Sequence, residues 1–190
     1  HTLSEGGYFF PRSHQPLSIH PKVVELGEEA VNYLLVQSLY KYSNDIATIE
    51  TRVVNNAILT VVMDSLPIKF TSEQKIHLYT IMVDEAYHAY VAFDSMLQIQ
   101  EFTQIEPLPL PKTIEIELAI KWAHEQLSQE CHGIFDLIAV CLAENTLTKE
   151  IVTLVAQEET HHFFTKMLED HLADESRHCG IFFNLLGFIW

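Results

Sequence analysis

Apolar residues recur three and four positions apart along most of the chain, which is the spacing of one buried face of an α-helix. "YSND" predicts a break or a cap between the first two helices, and "FTSEQ" predicts the cap of the third. No alternating pattern indicates a strand. The sequence therefore predicts an all-α bundle of six helices, at about residues 22–42, 45–64, 72–102, 113–129, 134–156 and from 158 onward.

The N-terminal segment follows a different pattern. Residues 7–21 hold three prolines and show no helical period, so we expect residues 1–21 to form an arm and residues 22–190 to form one helical domain. The chain begins with His and ends within an apolar run. We therefore expect the natural protein to continue in at least one direction, with the domain truncated at its C-terminal end.

Composition narrows the class of protein. The chain has 190 residues, of which 48% are hydrophobic and only six are glycine, as suits one helical domain. The net charge of −15 argues against nucleic acid or an anionic membrane as a partner. No apolar run is long enough to span a membrane, and no signal peptide is visible. Three cysteines without paired spacing favour a reduced, cytoplasmic setting.

Titratable residues lie on the apolar faces of two predicted helices. Glu85 and His88 stand at i and i+3 on the third helix, and Glu175 and His178 repeat this Glu-x-x-His on the last. "HLADESRH" adds His171 to the same face of the last helix. A buried charge needs a partner, and the usual partners are other such groups or a metal ion.

Two further glutamates, Glu50 and Glu144, stand on apolar faces of the second and fifth helices. The 35 residues from Glu50 to Glu85 and the 31 from Glu144 to Glu175 both fit a helical hairpin that returns to the same height, because about 30 residues give two arms of roughly 20 Å and a loop. Four helices thus offer one inward carboxylate each, and two add a histidine. This is the ligand set of a two-metal site in a four-helix bundle.

"EETHH" at residues 158–162 contains two more Glu-x-x-His matches, Glu158 with His161 and Glu159 with His162. Only 14 residues separate Glu144 from Glu158, too few for a hairpin to return to the same height. Glu158 and Glu159 also lie about 25 Å along the helix from Glu175. We expect these residues to form a polar helix start outside the metal site.

"DEAYHAY", "AEN" at residues 143–145 and "HLADESRH" resemble the ferritin-like di-iron oxygenases typified by p-aminobenzoate N-oxygenase. That family adds a third histidine one turn before the second Glu-x-x-His, and His171 stands in this position. The resemblance covers residues 50–178 and implies a ferritin-like four-helix bundle core with additional helices. The metal ligands that it implies are Glu50, Glu85, His88, Glu144, His171, Glu175 and His178.

The resemblance also implies an activity, that of a non-haem di-iron monooxygenase. Two iron ions and O2 would oxidise the nitrogen of a small-molecule amine to a hydroxylamine and onward to a nitro group, through a peroxo-diferric intermediate. No amino acid beyond the metal ligands need take part in the chemistry. Because the chain has no flavin, NAD or iron–sulfur motif, the electrons would come from a separate reductase. We also expect a homodimer.

Two alternatives remain open from the residues. One is a di-iron hydroxylase or desaturase of an aliphatic or carrier-bound substrate, and the other is a non-enzymatic iron-storage bundle, against which His171 argues. The substrate is the weaker part of the resemblance. A carboxylated amine would favour an arginine in the cavity, and the chain has only Arg12, Arg52 and Arg177. Arg52 and Arg177 point roughly opposite to the ligands on their helices, so Arg12, Tyr42 or a backbone donor remains a candidate for that contact.

Overall fold

The computed structural model describes residues 6–189, so residues 1–5 of the predicted arm and Trp190 lie outside the described residues. A π-helical segment, Ile49–Val54, continues directly from the helix Glu28–Thr48 into the helix Asn55–Val62. The α-helices are α1 Pro21–Val24, α2 Glu28–Thr48, α3 Asn55–Val62, α4 Ser72–Thr103, α5 Glu115–Gln126, α6 His132–Val155 and α7 His162–Ile189.

Four long helical units pack into the core of a bundle. The continuous unit from α2 to α3 packs on α4, α4 packs on α7, and α6 packs on both α7 and α3, while α5 lies outside against α6. Within residues 6–189, β contacts are confined to an isolated bridge between Tyr8 and Thr160. This architecture confirms the predicted all-α, ferritin-like class. The described part of the chain contains no helix with the length and hydropathy needed to cross a bilayer.

Helix starts follow partly from local chemistry. Thr71 caps α4 as predicted, because its hydroxyl accepts a hydrogen bond from the backbone N–H of Gln74 and the Gln74 side chain accepts one from the N–H of Thr71. The predicted break at residues 42–45 is wrong. Lys41 and Asp45 pair along the helix at 2.6 Å, and the chain instead turns before α2 at Gly27, whose φ is +92°.

The core consists of two apolar clusters with a polar layer between them. The first cluster includes Val54, Ile58, Leu78, Ile81, Leu137, Val140 and Phe182. The second includes Leu35, Leu39, Met96, Ile99, Ile151, Phe164 and Leu168. Each of the four long units runs from one cluster to the other. The polar side chains midway along each unit therefore meet at the same height, enclosed by apolar residues at both ends.

Part of the predicted arm contacts the bundle. Phe9 and Phe10 are buried in the second apolar cluster. The backbone N–H of His161 donates to the carbonyl of Tyr8 at 2.7 Å, and the Phe9 and His161 rings stack with centroids 4.6 Å apart. These contacts fix the chain that precedes α7 against the N-terminal segment.

Candidate metal centre

The polar layer brings together all seven residues predicted from the sequence. Each is buried, and Glu85 and His178 have no exposed surface at all. They arrive from all four long units of the bundle, as the hairpin spacing requires. The seven are Glu50 from the π-helical segment, Glu85 and His88 from α4, Glu144 from α6, and His171, Glu175 and His178 from α7.

One group of four side chains consists of Glu50, His88, His171 and Glu175. One ligand-type atom of each lies within 4.8 Å of the others. His171 Nε2 is 3.0 Å from Glu175 Oε1 and 3.5 Å from Glu50 Oε1. The rings of His88 and His171 lie side by side, with centroids 3.9 Å apart. This group therefore offers two imidazoles and two carboxylates.

A second group of four consists of Glu85, Glu144, Glu175 and His178, again with one ligand-type atom of each within 4.8 Å of the others. His178 Nδ1 lies 2.8 Å from Glu85 Oε1. Glu175 belongs to both groups and has Oε1 3.3 Å from His88 Nδ1 and 3.4 Å from His178 Nδ1. The second group offers one imidazole and three carboxylates, so the two halves differ in charge.

The π-helical segment Ile49–Val54 carries Glu50 into the layer. A π turn inserts an extra residue into the helix and changes the direction in which side chains project, and such turns occur often at functional sites. Glu50 itself is 2% exposed. Apolar periodicity could not reveal this turn, because the residues on either side of it keep ordinary helical spacing in the sequence.

The carboxyl groups differ in their pKa values. Burial, reinforced by contact with Glu85, raises the pKa of Glu50 well above its usual range. Burial and the charge of Glu175 do the same for Glu144. Burial also acts on Glu85 and Glu175, but hydrogen bonds outweigh it, chiefly with Glu50 for Glu85 and His171 for Glu175. They lower the pKa of Glu85 to about 2 and hold that of Glu175 far below its usual range.

The histidine pKa values shift upward. Burial lowers the pKa of His88 and His178, but close contacts with the carboxylates of Glu175 and Glu85 outweigh it, raising the pKa of His88 to about 9 and that of His178 to about 10. Without a metal, these shifts favour ionised Glu85 and Glu175 beside protonated His88 and His178, and they favour the neutral forms of Glu50 and Glu144. This arrangement minimises buried net charge.

The donor set fits a pair of divalent cations. Glu85 Oε1, Glu144 Oε2 and His178 Nδ1 are buried without a hydrogen bond of acceptable geometry, as expected of atoms that face a shared ion. Carboxylates and imidazoles with no thiolate suit iron, manganese or zinc. Four ionised glutamates carry four negative charges, which two divalent ions would balance.

Three polar residues that lie beside this layer were assigned no role at the metal centre from the sequence. His178 Nε2 of α7 lies 3.2 Å from Asp84 of α4. In the same way, His88 Nε2 of α4 lies 3.4 Å from Asp174 of α7. The guanidinium of Arg177 joins the two aspartates, at 2.5 Å from Asp84 and 3.1 Å from Asp174. The available signal was an aspartate directly before each Glu-x-x-His, in "DEAYH" and "DESRH".

We predict that Asp84→Ala lowers metal affinity about 10–100-fold, because an acceptor on the outer ring nitrogen orients a ligating imidazole and increases its basicity. The measurement is a competition titration with a chelator. Glu101→Ala on the exposed side of the same helix removes an equal charge and should leave affinity unchanged. Equal affinities for the two variants would show that Asp84 does not orient His178.

The residues of "EETHH" lie in neither group. The segment 158–161 precedes α7, which begins at His162 and not at residue 158. The Glu159 side chain accepts a hydrogen bond from the backbone N–H of Arg12 at 3.2 Å. His161 is buried against Phe9 and its Nδ1 accepts from the N–H of Phe163 at 3.1 Å, so the predicted polar helix start is wrong for this residue.

Comparison with known proteins identifies the family. The family model of P-aminobenzoate N-oxygenase AurF matches residues 2–189. No curated protein matches the chain at a significant level. The family match confirms the resemblance seen in the motifs and extends it to nearly the whole sequence. The chain belongs to the p-aminobenzoate N-oxygenase AurF family of enzymes.

Proposed function

We propose that this protein is a di-iron oxygenase that uses O2 to oxidise the nitrogen of a small amine, with electrons from a separate reductase. The observation that carries the proposal is the meeting of seven buried carboxylate and imidazole side chains in two groups that share Glu175. Family membership supports N-oxygenation as the reaction. The homodimer and the cytoplasmic location remain predictions.

Each group would hold one iron ion. Glu50, His88 and His171 would bind one ion, Glu85, Glu144 and His178 would bind the other, and Glu175 lies close enough to both groups to contact each ion. When bound, the iron pair supplies the redox chemistry that activates O2. His171 is proposed as a ligand because its Nε2 faces the carboxylates of Glu50 and Glu175.

The surroundings of the centre suit such a reaction. A small cavity reaches His88 and His171, and its walls are mainly apolar, with Tyr42 and Ser43 as the polar exceptions. Apolar walls limit water at the reacting atoms, which strengthens electrostatic interactions there and prevents side reactions. In the overall reaction, an amine N–H becomes N–OH, one oxygen atom of O2 enters the product, and the other becomes water with two electrons and two protons.

We predict that protein loaded anaerobically with ferrous iron, then given reductant and O2, converts an aromatic amine to its hydroxylamine. With isotopically labelled O2, mass spectrometry should find one labelled oxygen atom per product molecule. Protein without iron should give no product. Label arriving from water, or no product from any amine, would contradict the proposal. Hydroxylation at carbon would instead favour the hydroxylase alternative.

A further inference from the structure

A cavity of about 210 Å³ lies between α4 and α7, directly beside His171. Each helix contributes residues at positions i, i+4, i+7, i+8 and i+11, so the cavity runs along one face of both. The smaller cavity beside His88 shares Val91, Met167 and His171 with it. Both cavities therefore border His171, a residue of the candidate metal centre.

The walls of the larger cavity are apolar on one side and acidic on the other. Phe163 and Met167 offer apolar surface, whereas Asp94, Asp170 and Asp174 contribute carboxylates. Among residues 6–189, no lysine or arginine lines this cavity. Asp94 accepts a hydrogen bond from the neutral amide of Gln98 at 2.6 Å, which leaves its charge unbalanced by that contact.

Two cations approach the aspartates from outside the cavity. Lys166 bonds to Asp170 at 2.9 Å but is shared with Glu169, and Arg177 bonds to Asp174 at 3.1 Å but is shared with Asp84. Among the contacts of the described residues, five carboxylates (Asp84, Asp94, Glu169, Asp170 and Asp174) share Lys166, Arg177 and the imidazoles of His178 and His88, so carboxylates remain in excess. The cavity therefore carries a negative potential, which favours a cation and disfavours an anion.

The other arginines are bound elsewhere and do not offset this charge. Arg12 donates to the hydroxyl of Tyr8 and the carbonyl of Ser18, and Arg52 donates to the carbonyl of Lys112 at 2.9 Å. Neither Arg12 nor Arg52 lines either cavity. Arg12 is thus not the carboxylate partner considered from the sequence. A substrate carboxylate would meet no lysine or arginine here, and Tyr42, the other candidate from the sequence, lines the smaller cavity with an uncharged hydroxyl.

We propose that this cavity is the substrate pocket and that it takes an amine bearing a second, protonated amino group. The inference rests on the proposed N-oxygenase function, since the nitrogen to be oxidised must be neutral and must reach His171. The ammonium group lies by Asp94 and Asp170. Asp94 follows His88 by six residues, about 9 Å along α4, so an aromatic ring against Phe163 and Met167 fits between the two nitrogens.

Three matched ligands test the charge preference: p-aminobenzylamine, p-aminobenzyl alcohol and p-aminobenzoate, which are cationic, neutral and anionic. Their dissociation constants are measured by calorimetry on iron-loaded protein without O2. The cation should bind about tenfold more tightly than the alcohol, the carboxylate should bind more weakly than the alcohol, and added salt should reduce the differences. Equal binding, tighter binding of the carboxylate, or no binding of any ligand would overturn the proposal.

A variant assigns the preference to the pocket. Asp94→Asn should weaken binding of the cation about fivefold and leave the alcohol unchanged. Glu101→Gln, which removes a charge from the same helix outside the cavity, should change neither. An unchanged preference in Asp94→Asn would overturn the assignment. Because binding is measured without turnover, a lack of N-oxidised product counts against the proposed function and a lack of charge preference counts against the pocket.

Discussion

Glu175→Gln should reduce bound iron from two ions per chain to fewer than one and abolish turnover. Glu175 is the residue common to both groups, and its Oε1 lies within 3.5 Å of a ring nitrogen of His88, His171 and His178. The amide keeps the volume of the side chain but removes its negative charge, and with it the carboxylate that would serve both groups. Iron is measured by metal analysis after anaerobic loading and gel filtration.

Glu159→Gln provides the matched control. It makes the same chemical change in a Glu-x-x-His motif on the chain entering α7, but Glu159 is exposed and contacts the backbone of Arg12. This variant should retain both ions and full activity. Two ions in Glu175→Gln, or a wild-type protein that binds one or none, would refute the two-metal assignment.

Metal-free protein should be less stable at about pH 8 than at about pH 6, and iron should raise the melting temperature more at the higher pH. The raised pKa values of His88, about 9, and His178, about 10, mean that the folded state binds more protons than the unfolded state above about pH 6.5. The stability they contribute is complete below pH 6.5 and is lost as the pH rises through 9 and 10.

Glu50 and Glu144 also make the metal-free protein less stable as the pH rises. Their pKa values are raised in the folded state, so the stability they contribute is present below about pH 4.5 and falls as the pH rises toward their folded values. The lowered pKa values of Glu85 and Glu175 affect stability only in acid. Iron competes with protons at His88, His178, Glu50 and Glu144. Its binding should therefore strengthen as the pH rises.

Thermal unfolding without O2 measures both effects. Iron at a thousandfold excess over its dissociation constant adds about 4 kcal/mol, or roughly 10 °C for a chain of this size. Glu175→Gln should gain much less than this. If metal-free protein melts at one temperature at both pH values, and iron adds the same increment at each, the six groups with shifted pKa values do not titrate as one buried cluster.

Local features of the sequence account for most of the fold. Helical periodicity predicted α4, α6 and α7 to within a few residues at most ends, because an amphipathic helix records its buried face in residues three and four apart. The cap at Thr71 was also predictable from the sequence, because both of its hydrogen bonds join residues within one turn. The break predicted at residues 42–45 failed because Leu39, Ser43 and Ile46 lie on the buried face of one continuous helix, Glu28–Thr48.

The sequence by itself also selected the candidate site residues. Glu85 with His88 and Glu175 with His178 share a helical face by their spacing alone, and the hairpin intervals set the four glutamates at one height. The third histidine was assigned through the family resemblance. These conclusions depend on rise and rotation per residue, which are fixed for any α-helix.

Tertiary structure alone decided how those residues associate. The sharing of Glu175 between two groups, the crossed contacts of Asp84 with His178 and Asp174 with His88, and the acidic cavity beside His171 all join side chains on different helices. Their distances depend on the separation and rotation of packed helices, which no spacing within one helix determines. The π turn at Glu50 belongs with them, because a packed bundle, and not local sequence, stabilises the extra residue.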